Sequence, residues 1–294
     1  MTRLLAEMRS RGVRYLLLDP RDWSQLDCVL EVRKTGVGGS LHLGRSRWDL
    51  SDFSGVYVRS TPFQAPPFLP RRGWRVPDVG LLNRRALFFG ILRDWLESVT
   101  VPVFNKLSLF ERDGSRPLLY QQIVKCGFSI PPTLISNNPE EVRAFQRRHG
   151  RVVYQTIGAM GAVARELDPE GMGRLDRVRV LPTQFQAWIG EREIRVHVVG
   201  SALFATEWSP ERAAREPGGQ GRGGMRPLFL PFEINACCLE LVRLLGLPFC
   251  GIDLQRGADG RYYCKDVTPF PAFGDFESVT RQPIAAAIVD RLAG

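Results

Sequence analysis

The tightest constraint on the fold lies near the C-terminus, where two apolar runs, FCGIDL (249–254) and YYCKDV (262–267), flank an Asp259–Gly260 turn. Asp-Gly between two such runs signals a hairpin, because the reversal needs a backbone conformation that glycine adopts at no steric cost. Strands joined this way run antiparallel, so residues flanking the turn face one another. Asp253 and Asp266 are therefore expected on one face, with Thr268 two positions further on the same side as Asp266. Two carboxylates and a hydroxyl are hard oxygen ligands of the kind Mg²⁺ accepts when it bridges nucleotide phosphates. The same spacing also describes two solvated strand ends.

Upstream, the patterns alternate. Residues 2–10 read as a short helix, and VRYLLLD (13–19) as an apolar strand. VLEVRKTG and GGSLHLGRS form a hairpin-like pair, and SGVYVRSTPF (54–63) is a further strand. QAPPFLPRRGWRVPD is a proline-rich loop, Leu81–Ser98 has helical spacing, and VPVFN (101–105) is a strand. A second unit opens near Ser115 with the amphipathic helix RPLLYQQIVKCG, ended by Gly127. Asn138 then caps a helix with Pro139 in its first turn, Glu140 and Glu141 near its positive end, and Gly150 after its last turn. RVVYQTIG (151–158) and TQFQAWI (183–189) are strands, and IRVHVVGSALFATEW (194–208) is a strand pair turning at Gly200–Ser201. The segment 217–224 reads as a mobile loop, NACCLELVRLLG as a helix, and PIAAAIVDRLAG as a C-terminal helix. Alternating helices and strands with late hairpins define an α/β (α+β) architecture of several lobes.

Composition narrows the function classes. With 294 residues, 44% hydrophobic and 24% charged, the chain is neither disordered nor a disulfide-stapled miniprotein. Lys+Arg 40 against Asp+Glu 31 gives +9, and all but four of those cations are arginines. That charge suits acidic or phosphate-bearing partners, but no like-charged block resembles a nucleic-acid arm. The N-terminal MTRLLAEMRSRG is too charged for a signal peptide, and no apolar run reaches membrane-spanning length. Six scattered cysteines without zinc spacing read as buried free thiols, hence a cytoplasmic setting.

Two further segments carry candidate chemistry. In RVVYQTIGAMGAV, Gly158 and Gly161 let backbone N–H groups approach phosphate. In QFQAWIGEREIRVHVVG, the extended Gln186–Ile189 stretch can pass the edge of an adenine, with Trp188 as an apolar wall and Arg195 aimed at a phosphoryl group. The plainer reading buries Trp188 in a core hairpin and puts Arg195 in a surface ion pair. The histidines His42, His149 and His197 are isolated, and His197 reads as a satisfied strand residue.

The order of these pieces resembles the ATP-grasp superfamily, in particular the branch of ribosomal-protein glutamate ligases and graspetide (microviridin-type) peptide macrocyclases. The motifs that carry it are GFSIPPTLIS, the strand with its glycine turn, Q-x-W-I, E-x-R-V-H-V-V-G, G-I-D-L and D-V-T-P-F-P, across residues 105–294, with VYVRSTPF and LFFGILRDWLESVTVPVFN resembling the preceding lobe. The resemblance implies a pre-grasp α/β lobe (1–104), a small central lobe (105–182) and a C-terminal antiparallel-sheet lobe (183–294). It also implies ATP and Mg²⁺ as cofactors. Asp253, Asp266 and Thr268 fall on its metal ligands, Ala187 and Trp188 on the adenine hinge, and Glu193 on the ribose contact. Arg195 falls on the residue facing the reacting phosphates, and Arg116 and Gln155 fall on two ATP-contacting lysines.

Several of these positions depart from the family's pattern. Arg116 keeps the charge in a different shape, and Gln155 loses a cation. Asp266 stands for Glu, Thr268 for Asn, and Ala187 for a hinge carboxylate. The implied function is activation of a carboxylate as an acyl phosphate for attack by an amine or hydroxyl. The substrate would be a peptide or small carboxylate, acidic in keeping with the charge, and a homodimer is admitted. The alternative is a degenerate ATP-grasp protein serving as a peptide-binding or partner subunit.

Overall fold

A computed structural model of the chain describes residues 1–19, 25–34, 36–59, 79–106, 108, 116–157, 164–190, 192–208 and 224–294, the side chains of 79–86 excepted. Contacts divide it into two units, Met1–Leu109 with Pro283–Gly294, and Phe110–Gln282.

The N-terminal unit opens with helix α1 (Thr2–Ser10). Strands β1 (Leu26–Arg33), β2 (Gly36–Leu43) and β3 (Ser46–Asp49) form an antiparallel meander in that order. The expected hairpin is therefore present, with Arg33 opposite Gly36. Strand β4 (Val56–Tyr57) pairs in parallel with β5 (Val103–Phe104) after the long helix α2 (Val79–Ser98). The final helix, Ile284–Ala293, packs against α1.

Two expectations fail in this unit. Residues 13–19 join no ladder, and the strand expected over 54–63 is reduced to Val56–Tyr57 among the described residues. An uninterrupted apolar run such as YLLL favours burial without choosing a pairing face, so it does not dictate a strand. Leu16, Leu17 and Leu18 instead line an apolar cavity of about 190 Å³ together with α1, Phe53–Tyr57 and Trp95. The proline-rich segment 64–78 lies outside the described residues.

The second unit begins with α3 (Arg116–Lys125) and β6 (Thr133–Ser136). Helix α4 (Pro139–His149) starts where expected, the Asn138 side chain accepting from the Glu140 N–H, and Gly150 follows its last turn. Strands β7 (Val152–Thr156), β8 (Arg165–Glu166) and β9 (Thr183–Ala187) join β6 in a sheet ordered β6-β9-β7-β8, with the short helix α5 (Pro169–Gly173) before β9. One face of this sheet, through Val152 and Phe185, packs on Val142, Phe145, Leu167 and Leu175.

A five-stranded sheet follows, ordered β12-β11-β10-β13-β14. Its strands are β10 (Glu193–Val199), β11 (Ala202–Trp208), β12 (Arg226–Leu228), β13 (Phe249–Arg256) and β14 (Tyr262–Thr268). Helix α6 (Phe232–Leu245) precedes β13, and α7 (Gly274–Thr280) follows β14. Ile194, Val196, Val198, Ile252, Leu254, Cys264 and Val267 alternate into its apolar face and are essentially buried. All six cysteines are free, and burial pushes the Cys250 and Cys264 thiols up. Among the described residues no helix is long and apolar enough to cross a membrane. Of the expected loop at 217–224, residues 217–223 lie outside the description.

Candidate functional site

Alternation sends the polar residues of β10, β13 and β14 to the opposite face from the apolar ones. The register pairs Glu193 with Gln255, Arg195 with Asp253 and His197 with Gly251 across β10 and β13. Across β13 and β14 it pairs Asp253 with Asp266 and Gly251 with Thr268. The two aspartates and Thr268 thus share one face, as the hairpin argument requires. A bulge between the Asp253 and Leu254 pairings leaves Lys265 unmatched. An extra residue shifts the alternation by one, so Lys265 and Asp266 both serve the polar face while Cys264 stays in the core.

Each carboxylate on this face has a cation. Arg195 donates to Asp253 through Nε at 2.6 Å and Nη2 at 3.0 Å, a bidentate pair. Arg116, at the start of α3, donates to Asp266. Lys265 Nζ donates to Glu193 Oε1 at 2.7 Å, and the same oxygen accepts from Gln255 Nε2 at 2.8 Å. Gln255 is buried and also donates to the Gly190 carbonyl, tying the Glu193 carboxylate to the chain just before β10. Burial lifts Asp253 from 3.8 to about 6; Arg195 opposes the rise, while Asp266 and Glu193 add to it. Gly251 is small for a stated reason: a Cβ there would stand 2.7 Å from Arg195 Nη1 and 2.9 Å from Pro271 Cβ.

His197 is buried and donates through Nε2 to the Ala272 carbonyl at 3.2 Å, edge-on to Phe276. Burial and the Arg195 charge lower it to about 3, so it stays neutral as a packed strand histidine. The His149 ring lies against Phe145, with centroids 4.5 Å apart and planes tilted by 48°.

The central sheet supplies a second polar surface. Gln184 and Gln186 on β9 lie opposite Gln155 and Val153 of β7, on the face away from Phe185. Gln186 Nε2 donates to the Tyr120 hydroxyl at 3.0 Å and to Thr133 Oγ1 at 3.2 Å. Burial first, and then the Asp266 charge, push Tyr120 up to about 12. The expected hinge follows directly. Ala187 N–H donates to the Pro132 carbonyl and Trp188 N–H to the Arg151 carbonyl. The Arg151 guanidinium lies 4.1 Å from the Trp188 ring centroid, so Trp188 is a half-buried cation–π platform and not a core residue. Arg195 is likewise in a largely buried ion pair rather than a surface one. Ile189 is half-buried, and Gly158 and Gly161 lie outside the described residues.

Sequence reasoning missed Lys265, Gln255, Gln184, Tyr120 and Gly251. Of these only Lys265 left a signal, as one of four lysines in the chain. Among the described residues no group of three or more His, Cys, Asp and Glu side chains converges as a metal cage. Two carboxylates and a hydroxyl on one face still match the sparse protein ligation typical of Mg²⁺, which takes its remaining oxygens from phosphate and water.

No protein-family model matches the chain. Two curated relatives are each described as a probable alpha-L-glutamate ligase. The one from Teredinibacter turnerae is 24% identical over 207 residues, 64% of this chain and 66% of its own length. The one from Marinomonas sp. is 22% identical over 246 residues, 76% of this chain and 77% of its own. Among solved structures, a RiPP-associated ATP-grasp ligase of Chryseobacterium gregarium, in complex with ADP and a leader and core peptide, superposes with a TM-score of 0.79. It is 20% identical and covers 99% of this chain and 92% of its own. The macrocyclase MdnC of Microcystis aeruginosa, bound with precursor peptide MdnA, gives 0.79 at 22% identity, covering 99% and 94%. The ATP-grasp ligase PsnB with its minimal precursor gives 0.81 at 20% identity, covering 99% and 93%. The chain has the ATP-grasp fold, and its neighbours lie in the branch that the motif order resembles.

Proposed function

We propose that the protein is an ATP- and Mg²⁺-dependent ligase that joins a peptide carboxylate to an amine or hydroxyl. The observation that carries this reading is the Asp253–Asp266 pair, held opposite one another and flanked by Arg195 and Arg116. Bound Mg²⁺-ATP would supply an electrophilic γ-phosphate. Asp253, Asp266 and Thr268 would hold the metal, and Arg195 and Arg116 would turn from the aspartates to the phosphate oxygens. Gln186, Ala187, Trp188 and Ile189 would border the base, Glu193 the ribose, and Gln155, Gly158 and Gly161 the phosphates. With ATP held there, a substrate carboxylate would displace ADP at the γ-phosphorus, and an amine or hydroxyl, losing its proton, would then displace phosphate at the acyl carbon. Residues 105–182 and 183–294 would serve as the two walls of the nucleotide site.

A peptide substrate is supported by the leader, core and precursor peptides named with the similar structures, and the net charge of +9 favours an acidic one. The test is thermal stabilisation by ATP with and without Mg²⁺, followed by release of ADP on adding a glutamate-rich peptide. Stabilisation that needs Mg²⁺, and ADP release that needs peptide, are the expected results. One observation favours a second reading, a non-catalytic partner subunit: Gln155 places an uncharged amide where the resemblance puts a lysine. Stabilisation without any ADP release would select it.

A further inference from the structure

Lys265 reaches the polar side of the five-stranded sheet because of the bulge. Counted back from the buried Val267, period-two alternation would send it to the apolar face; the extra residue instead leaves it beside Asp266. Bulges that re-aim a side chain in this way are over-represented next to active sites. On the polar face the side chains stand in rows. Glu193 and Gln255 pair across β10 and β13, with Lys265 bonded to Glu193, and the next row holds Arg195, Asp253 and Asp266. Rows two residues apart are separated by about 7 Å, within the sweep of a flexible four-carbon stem. Asp253 already feels the Lys265 charge.

An ammonium carries three N–H donors, and among the described residues Lys265 spends one, on Glu193 Oε1 at 2.7 Å. Its side chain keeps 22% of its surface exposed, so a ligand can reach it. Glu193 does not depend on that bond, because Gln255 Nε2 donates to the same oxygen at 2.8 Å and is itself fixed by the Gly190 carbonyl. Both arginines of the face are tied to aspartates, and β7 offers only the uncharged amide of Gln155. Lysine is a point charge suited to a phosphate oxygen. We propose that Lys265 is a phosphate-binding residue that contacts, from β14, the phosphate nearest the ribose of the bound nucleotide. This rests on the reading of the site as a nucleotide site, and it adds a cation at a position to which the motif resemblance assigns no contact.

The experiment measures dissociation constants for ATP, AMP and adenosine at fixed Mg²⁺ with the unaltered protein, Lys265→Met and Lys265→Gln. Loss of a charge-assisted contact should weaken ATP and AMP about ten- to a hundredfold in both variants, while adenosine, which has no phosphate, stays within about threefold. Lys265→Gln keeps a donor for Glu193 and decides alone should Lys265→Met not fold. Unchanged ATP and AMP affinities overturn the proposal. Equal weakening of adenosine overturns it too, since Lys265 would then only hold Glu193. Weakening of ATP without AMP overturns the assignment to the first phosphate. The unaltered protein gives a test that needs no variant: AMP should bind about tenfold or more tighter than adenosine, and equal affinities overturn the proposal. Binding of neither ATP nor adenosine would instead remove the ligase reading on which it stands.

Discussion

The two units solve their packing differently. In Phe110–Gln282, the five-stranded sheet is sealed on one face by residues such as Val196, Ile252 and Leu254, all at 0% exposure, and its other face matches each of three carboxylates with a cation. The N-terminal unit holds a two-residue parallel ladder, a meander and an apolar cavity of about 190 Å³ walled by leucines. Charged groups can be held partly dry only where the scaffold fixes their partners, because an unmatched buried charge is expensive. The tightly registered sheet meets that demand, and it is there that the candidate chemistry lies.

The contrast breaks most directly by truncation. Ile252→Ala should cost about 2–5 kcal/mol in denaturant unfolding, as for other buried aliphatics. Leu4→Ala, at the cavity wall, should fall at the low end of that range, since atoms bordering a void already lack contacts on one side. Equal costs would show the cavity to be well packed in solution. Next comes Asp253→Asn. At a nucleotide concentration a hundredfold above its dissociation constant the unaltered protein should gain about 2.7 kcal/mol. The variant's gain should be the same with and without Mg²⁺, whereas a retained Mg²⁺ dependence removes Asp253 from the metal site.

Gln155→Lys restores a cation beside the polar face and should tighten ATP binding by about 1.5–3 kcal/mol, roughly ten- to a hundredfold, read by calorimetric titration. Unaltered or weaker binding would mean that β7 presents another register to the nucleotide. Gly251→Ala crowds Arg195 and Pro271, and an overpacking cost of about 1–3 kcal/mol should appear as a lower melting temperature. An unchanged melting temperature would show that Arg195 has room to move.

The smallest effect is one of pH. Asp253 binds its proton more tightly folded, near 6, than unfolded, near 3.8. Metal-free stability should therefore decline as pH rises through that window and level off above it. Mg²⁺ binds the ionised carboxylate, so Mg²⁺-dependent stabilisation should grow over the same window. A Mg²⁺ effect that is flat from pH 4.5 to 7 contradicts the assignment.

Much of the second unit was legible in the chain. Asn138, Gly150 and the Asp259–Gly260 turn act through local backbone chemistry, so their elements start and stop where local rules place them. The pairing of Asp253 with Asp266 followed from hairpin geometry alone. Residues 13–19 failed because a short apolar run names no partner strand, and strand pairing is a long-range choice; none of them is fully buried and Leu17 stays half exposed.

By itself, the sequence determined the hairpin turns and the face shared by the two aspartates, because turn residues and period-two alternation act between near neighbours. Only the tertiary structure decided the rest. Arg116 reaches Asp266 across 150 residues of chain, and Arg195 grips Asp253 across 58. A single bulge turns Lys265 toward Glu193, and Gln186 reaches the Tyr120 hydroxyl across 66 residues. Those outcomes depend on which segments meet in space and on how one extra residue shifts a ladder, and neither is written in any local stretch of the chain.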